Sequence, residues 1–142
     1  MTGTLRFACD TSVAVPALDT THAHHSWCVD LVRRREPALA GHAAIETYSV
    51  LTRLPGPARL SAQSAGRVVL HNFPNSCPAP TQSQLEILDH FAGFGIAGGA
   101  VYDGLVALAA HADERILLTR DERAEPTYRR LKISYELVTG PA

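Results

Sequence analysis

The stretch Leu5-Arg6-Phe7-Ala8-Cys9-Asp10-Thr11-Ser12-Val13 decides how the rest of the chain reads. Leu5 to Cys9 has the apolar character of a short buried strand, and Asp10-Thr11-Ser12 is a helix-start signal directly behind it. A strand that passes at once into a helix is the opening unit of an α/β fold. The same order returns near the other end of the sequence. Arg115 to Thr119 reads as a strand, Asp121 follows it, Glu122 to Leu131 reads as a helix, and Ser134 to Val138 as a final strand.

Between these ends the spacing predicts a brief turn of helix over Val13 to Leu18, broken by Pro16, and a helix over His22 to Arg35 ended by Pro37. Ala38 to Ala40 fits a second short strand. Ala43 to Leu54 fits a helix stopped by Pro55-Gly56-Pro57, and Ser61 starts another that reaches Phe73. Asn72 to Pro80 carries three prolines and reads as loop or as a strand edge. Gln84 to Phe94 and the Ala-rich Ala100 to Ala112 are helical. Strands alternating with such helices predict one domain over residues 1–142, a three-layer α/β/α fold with a mainly parallel central sheet. Ligands of open parallel sheets bind beyond the carboxyl ends of the strands, where Asp10 and Asp121 both lie.

The 142 residues, 46% apolar and 19% charged, describe an ordinary folded domain of net charge −1, without the global basic field of a general nucleic-acid binder. Twelve arginines and the single lysine, Lys132, nevertheless cluster, as Arg33-Arg34-Arg35 and as Arg120, Arg123, Arg129 and Arg130 with Lys132. Such patches suit phosphate, and equally suit solvated helix faces. Cys9, Cys28 and Cys77 have no C-x-x-C spacing, so neither a disulfide framework nor a zinc knuckle is expected. No apolar run approaches the roughly 20 residues of a membrane span, and no charged leader precedes the first strand. The expectation is a cytoplasmic protein with no membrane partner.

Four acids are locally out of place. Glu46 and Asp103 interrupt helices that are otherwise largely apolar, and Asp10 and Asp121 follow hydrophobic strands. A buried unpaired carboxylate is costly or takes up a proton, so four of them make sense if the fold gathers them and a divalent cation neutralises them. Asp103 shares its helical face with Ala100, Ala107 and Ala110, a strip cleared of bulk. Each acid also has a plain alternative. Asp10 and Asp121 fit helix caps, and Glu46 and Asp103 fit first-turn acids that favour the helix dipole.

Taken in order, these segments resemble the PIN-domain ribonucleases, and among them the VapC-type toxins of bacterial type II toxin–antitoxin pairs. Cys9-Asp10-Thr11-Ser12-Val13 matches the opening strand and D-[TS]-[SN] motif. Glu46 with Val50-Leu51-Thr52-Arg53 matches the second, Tyr102-Asp103 the third, and Ile116 to Asp121 the fourth. The separations of 36, 57 and 18 residues between successive acids fit as well. Gly104 stands where the family usually has alanine, which predicts a helix looser by up to about 1 kcal/mol. His22, His24 and His25 are no family feature; they are expected at an exposed helix start, with transition-metal binding as the other option. Tyr102 is expected to pack in the core, with base stacking as its alternative.

The resemblance implies a metal-dependent endoribonuclease toxin that hydrolyses specific structured RNA at a carboxylate-bound Mg²⁺ or Mn²⁺ site. Asp10, Glu46, Asp103 and Asp121 would be catalytic, with Asp10 and Asp103 as the principal metal ligands. Thr11, Ser12 and Thr119 would support phosphate or metal-held water. It further implies a cognate antitoxin that covers the site, RNA as substrate, and a homodimer or a toxin–antitoxin hetero-oligomer. The rival readings are a catalytically silent PIN-fold protein- or RNA-binding module, a response-regulator receiver domain, and a haloacid-dehalogenase-like phosphatase. The receiver lacks its mid-chain aspartate here, and the phosphatase its D-x-D.

Overall fold

Phe7–Cys9 forms β1 and Ile116–Thr119 forms β3, and these two strands pair in parallel at the centre of a four-stranded sheet. Their residues are almost wholly buried, as expected of strands covered on both faces. β2 (Ala38–Leu39) pairs with β1 and β4 (Tyr135–Leu137) with β3, so the order is β2-β1-β3-β4 with every pair parallel. The fold is the three-layer α/β/α arrangement that the alternation of elements implies. The computed structural model describes residues 3–140; Met1, Thr2, Pro141 and Ala142, the ends of the expected domain, lie outside the described residues.

Seven α-helices complete the described residues: α1 (Thr11–Leu18), α2 (His25–Arg35), α3 (Ala43–Leu51), α4 (Ala62–Asn72), α5 (Gln84–Gly93), α6 (Ala100–Ala112) and α7 (Glu125–Arg130). α1 packs on α2, α3 and β3, α3 on α4, and α6 on α7 and β3. The main core runs through the sheet and is closed by Val13, Leu31, Leu51, Val106 and Tyr128, while a smaller cluster joins α5 to α6 through Ile87, Phe91, Ile96 and Leu105. Asn72 ends α4 and residues 73–80 are loop, without the strand edge held open above. They still guard the β2 side, because the Cys77 carbonyl accepts from Gly41 N–H at 2.8 Å. Gly41 has φ +51°, and a Cβ there would stand 2.9 Å from that of Ala109, so glycine is required on both counts.

Several boundaries move for identifiable reasons. α1 runs unbroken through Pro16, contrary to the expected break. Proline lacks the N–H that would reach the Ser12 carbonyl, and the Arg120 guanidinium donates to that carbonyl instead, at 2.9 Å. α3 ends at Leu51, where the Thr52 hydroxyl turns back onto the carbonyls of Tyr48 and Ser49. α7 begins only at Glu125, because the Asp121 carboxylate holds Arg123 N–H at 2.9 Å in a preceding turn. Gly104 is not a loose spot. A Cβ there would meet the Phe91 ring at 2.6 Å, so its absence lets α5 and α6 close on each other.

Candidate active site

Asp10 ends β1 and caps α1 at once, so its two sequence readings are one fact. Its Oδ1 accepts from both the backbone N–H of Ser12, at 3.0 Å, and the Ser12 hydroxyl. Its Oδ2 accepts from the hydroxyl of Tyr128 at 2.9 Å. A carboxylate has about four acceptor positions, and these donors engage both of its oxygens. Asp10 is only 6% exposed. Burial raises its pKa above the usual carboxylate range, and the hydrogen bonds from Ser12, Thr119 and Tyr128 oppose that rise.

The end of β3 supplies the other half of this loop. The Ser12 hydroxyl accepts from Arg120 N–H at 2.8 Å, which leaves its own proton for Asp10. Thr119, fully buried, accepts from Asp121 N–H at 3.1 Å and stands 3.3 Å from the Ser12 hydroxyl. Asp121 is thereby linked through two hydroxyls to Asp10, across 111 positions of chain by the difference of their numbers. Thr11 is half-buried on the first turn of α1.

Asp103, in the first turn of α6, registers all the other acids. Its pKa is pushed up to about 6, first by burial and then by the charges of Asp121, Asp10 and Glu46, with only Arg123 opposing. Arg123 reaches Asp121 at 3.6 Å, but its side chain is 95% exposed, so it neutralises the group weakly. Glu46 lies exposed on α3. Ala107 and Ala110, on Asp103's side of α6, are wholly buried, in keeping with a strip that must let neighbours approach.

The donors in this place are carboxylate oxygens, the set a hard divalent cation prefers. Among the described residues no three His, Cys, Asp or Glu side chains close into a ready cage. Asp10 and Asp103 are the carboxylates here that could hold such a cation, together with water. The repulsion at Asp103 is left uncompensated by the side chains around it, apart from Arg123. The histidine cluster gathers no metal set either. His22 Nδ1 accepts from His24 N–H, His24 Nδ1 accepts from Trp27 Nε1, and His25 Nδ1–H donates to the Pro16 carbonyl at 2.8 Å.

Two residues near the acids have roles that sequence reasoning missed. Tyr128 sits among arginines in a short helix, 118 positions from the carboxylate it holds, and only its tyrosine hydroxyl hinted at a buried polar partner. Tyr102 is not in the core; it is 66% exposed beside Asp103.

No helix is long and apolar enough to cross a membrane among the described residues. No family model matches the sequence, and no solved structure matches. Curated relatives do. Ribonuclease VapC27 of Mycobacterium tuberculosis (strain ATCC 25618 / H37Rv) is 45% identical over 126 residues, covering 89% of this chain and 92% of its own length. Ribonuclease VapC40 of Mycobacterium tuberculosis, from the CDC 1551 / Oshkosh and H37Rv strains alike, is 41% identical over 136 residues, covering 92% of this chain and 97% of its own. At that identity over nearly the whole length, with the acids in place at the strand ends, the chain belongs to the VapC ribonuclease family of toxins.

Proposed function

We propose that the chain is a divalent-cation-dependent endoribonuclease that hydrolyses a specific structured RNA, using Mg²⁺ or Mn²⁺. The observation that carries this reading is the carboxyl of Asp103, pushed up to about 6 by burial and by acids from three other segments. Asp10 and Asp103 would hold the cation, and Glu46 and Asp121 would orient waters. When bound, the cation supplies a hydroxide-like nucleophile and stabilises charge on the phosphate.

The chain's own groups do the positioning. The Ser12 and Tyr128 donors hold the Asp10 carboxylate in one orientation toward the site. Ser12 and Thr119 support the site from beneath, through Asp10 and the Asp121 backbone, and the hydroxyl of Thr11 is the one left to meet phosphate or a metal-held water. At a net charge of −1 the protein gains little from non-specific phosphate attraction, which favours one shaped RNA target over indiscriminate binding.

A cognate antitoxin that covers the acids completes this reading, with family membership as its support. The cavity of about 360 Å³ between α5 and α6, flanked by Leu85 at 78% and Leu88 at 64% exposure, offers an apolar surface for such a partner or for a homodimer.

The deciding experiment is incubation of total bacterial RNA with the purified chain in Mg²⁺, Mn²⁺ or EDTA, beside Asp10→Ala and Asp103→Asn. Discrete fragments that require the cation and vanish in both variants are expected. Intact RNA with folded, cation-supplied wild type would turn the assignment to a silent binding module.

A further inference from the structure

We infer that the cleft between α3 and the start of α6 is a nucleobase subsite, which seats one unstacked base of the RNA next to the cleaved bond. The inference rests on the ribonuclease reading above. The cleft encloses about 350 Å³ and is lined by His42, Ile45, Glu46 and Ser49 along one stripe of α3, with Tyr102 opposite. Two of its walls are large apolar side chains left in water, Ile45 at 72% and Tyr102 at 66% exposure. Leaving two such groups open on one cavity is a mark of a binding surface.

The occupant follows from the neighbours. Glu46 is itself a wall of the cleft and its charge reaches Asp103, so the cavity adjoins the acid set through that residue. A phosphate placed in the cleft would meet the Glu46 carboxylate and two apolar walls, whereas an uncharged planar ring would lie between the tyrosine and the isoleucine. Unpaired RNA bases stack in this way on aromatic side chains. Polar edges are present too. The Ser49 hydroxyl accepts from Arg53 Nε at 3.3 Å and keeps its own proton to donate, and the exposed His42 ring has no hydrogen bond among the described residues. Both stand where the edge of a stacked base would be read.

The test measures binding of labelled total bacterial RNA, the same pool as in the cleavage assay, in Ca²⁺ to hold cleavage back, by wild type, Tyr102→Ala, Tyr102→Phe and Ile45→Ala. In parallel, 4-thiouridine in the same RNA is photo-cross-linked and the adducts mapped. The expected result is binding weakened in Tyr102→Ala by roughly 5- to 100-fold, the worth of one base–aromatic stack. Tyr102→Phe should stay near wild type, and cross-links should fall on Tyr102 or on residues 42–49. Unchanged binding in Tyr102→Ala and Ile45→Ala, with cross-links elsewhere and cleavage in Mg²⁺ intact, would overturn the subsite alone and leave the cleft to a protein segment. A wild type that neither binds nor cleaves RNA would overturn the ribonuclease reading and the subsite together.

Discussion

Arg120 and Ser12 are joined by a hydrogen bond of 2.9 Å from the guanidinium to the backbone carbonyl, and Ser12 is the residue whose carbonyl Pro16 leaves without a helical donor. A side chain at the end of β3 thus completes a helix at the other end of the sequence. The same residue's backbone N–H donates to the Ser12 hydroxyl at 2.8 Å, and its guanidinium lies 5.3 Å from the Trp27 ring. Arg120, which the sequence offered as part of a basic cluster for phosphate, is here a brace for the loop that carries Asp10.

Arg120→Ala should therefore cost about 1.5–3 kcal/mol of stability, the range for a charge-assisted bond to a partly buried acceptor. In a Pro16→Ala background the cost should shrink, since the substituted residue brings its own N–H to the Ser12 carbonyl. Urea denaturation of the double-mutant cycle reads this coupling directly. Equal costs in both backgrounds would refute the brace.

Tyr128→Phe keeps the buried ring and removes only the donor to Asp10 Oδ2. Mn²⁺ binding followed by electron paramagnetic resonance should weaken about 10- to 100-fold, as for other groups that orient a metal ligand. The thermal midpoint should fall only by the equivalent of about 1 kcal/mol. Wild-type Mn²⁺ affinity in a folded Tyr128→Phe protein would show that the hydroxyl merely satisfies itself.

Asp103 makes stability depend on pH in a predictable direction. Its folded value of about 6 lies above its ordinary 3.8, so between those two values the folded protein holds a proton that the unfolded chain has lost. Its contribution in EDTA is then neutral below about pH 4, turns increasingly unfavourable as pH rises to about 6, and is constant above that. Asp103→Asn should match wild type at pH 4 and exceed it at pH 7 in thermal unfolding without metal. Saturating Mg²⁺ should close the gap. A difference that does not vary with pH would show that the acids are not coupled.

Gly104→Ala would stabilise an isolated helix by up to about 1 kcal/mol. In this fold it should destabilise by about 1–3 kcal/mol instead, because the new methyl meets the Phe91 ring at 2.6 Å and that ring is only 4% exposed. Adding Phe91→Leu should recover part of the loss in a chemical-denaturation series.

The central strands β1 and β3 were legible because short apolar runs ending near an acid have few other interpretations. Leu117 and Leu118 are fully buried and Asp121 follows them as the pattern requires. Legibility failed where a side chain's role depends on a distant segment. Pro16 reads as a break unless Arg120 is known to lie beside it. Tyr102 sits in a helix apolar on nearly every face, so periodicity cannot say which side meets water, and its exposure emerged only from packing. Tyr128 lacks any local pattern that points to Asp10. The helix starts at His25 and Glu125 were misplaced for a related reason, since turns held by His22 and Asp121 precede them.

The pairing of β1 with β3 also sets a schedule. A ribosome emits Asp10 well before the strand beside it, the Thr119 and Arg120 groups that fix Ser12, and the Tyr128 hydroxyl, which follows 118 positions later. Contacts so remote in sequence form late and slowly. A nascent chain, or a fragment truncated before β3, carries three of the four acids but lacks Thr119, Arg120 and Tyr128, which aim the first of them. The site is therefore finished only after Tyr128 has left the ribosome, long after the first carboxylate was made.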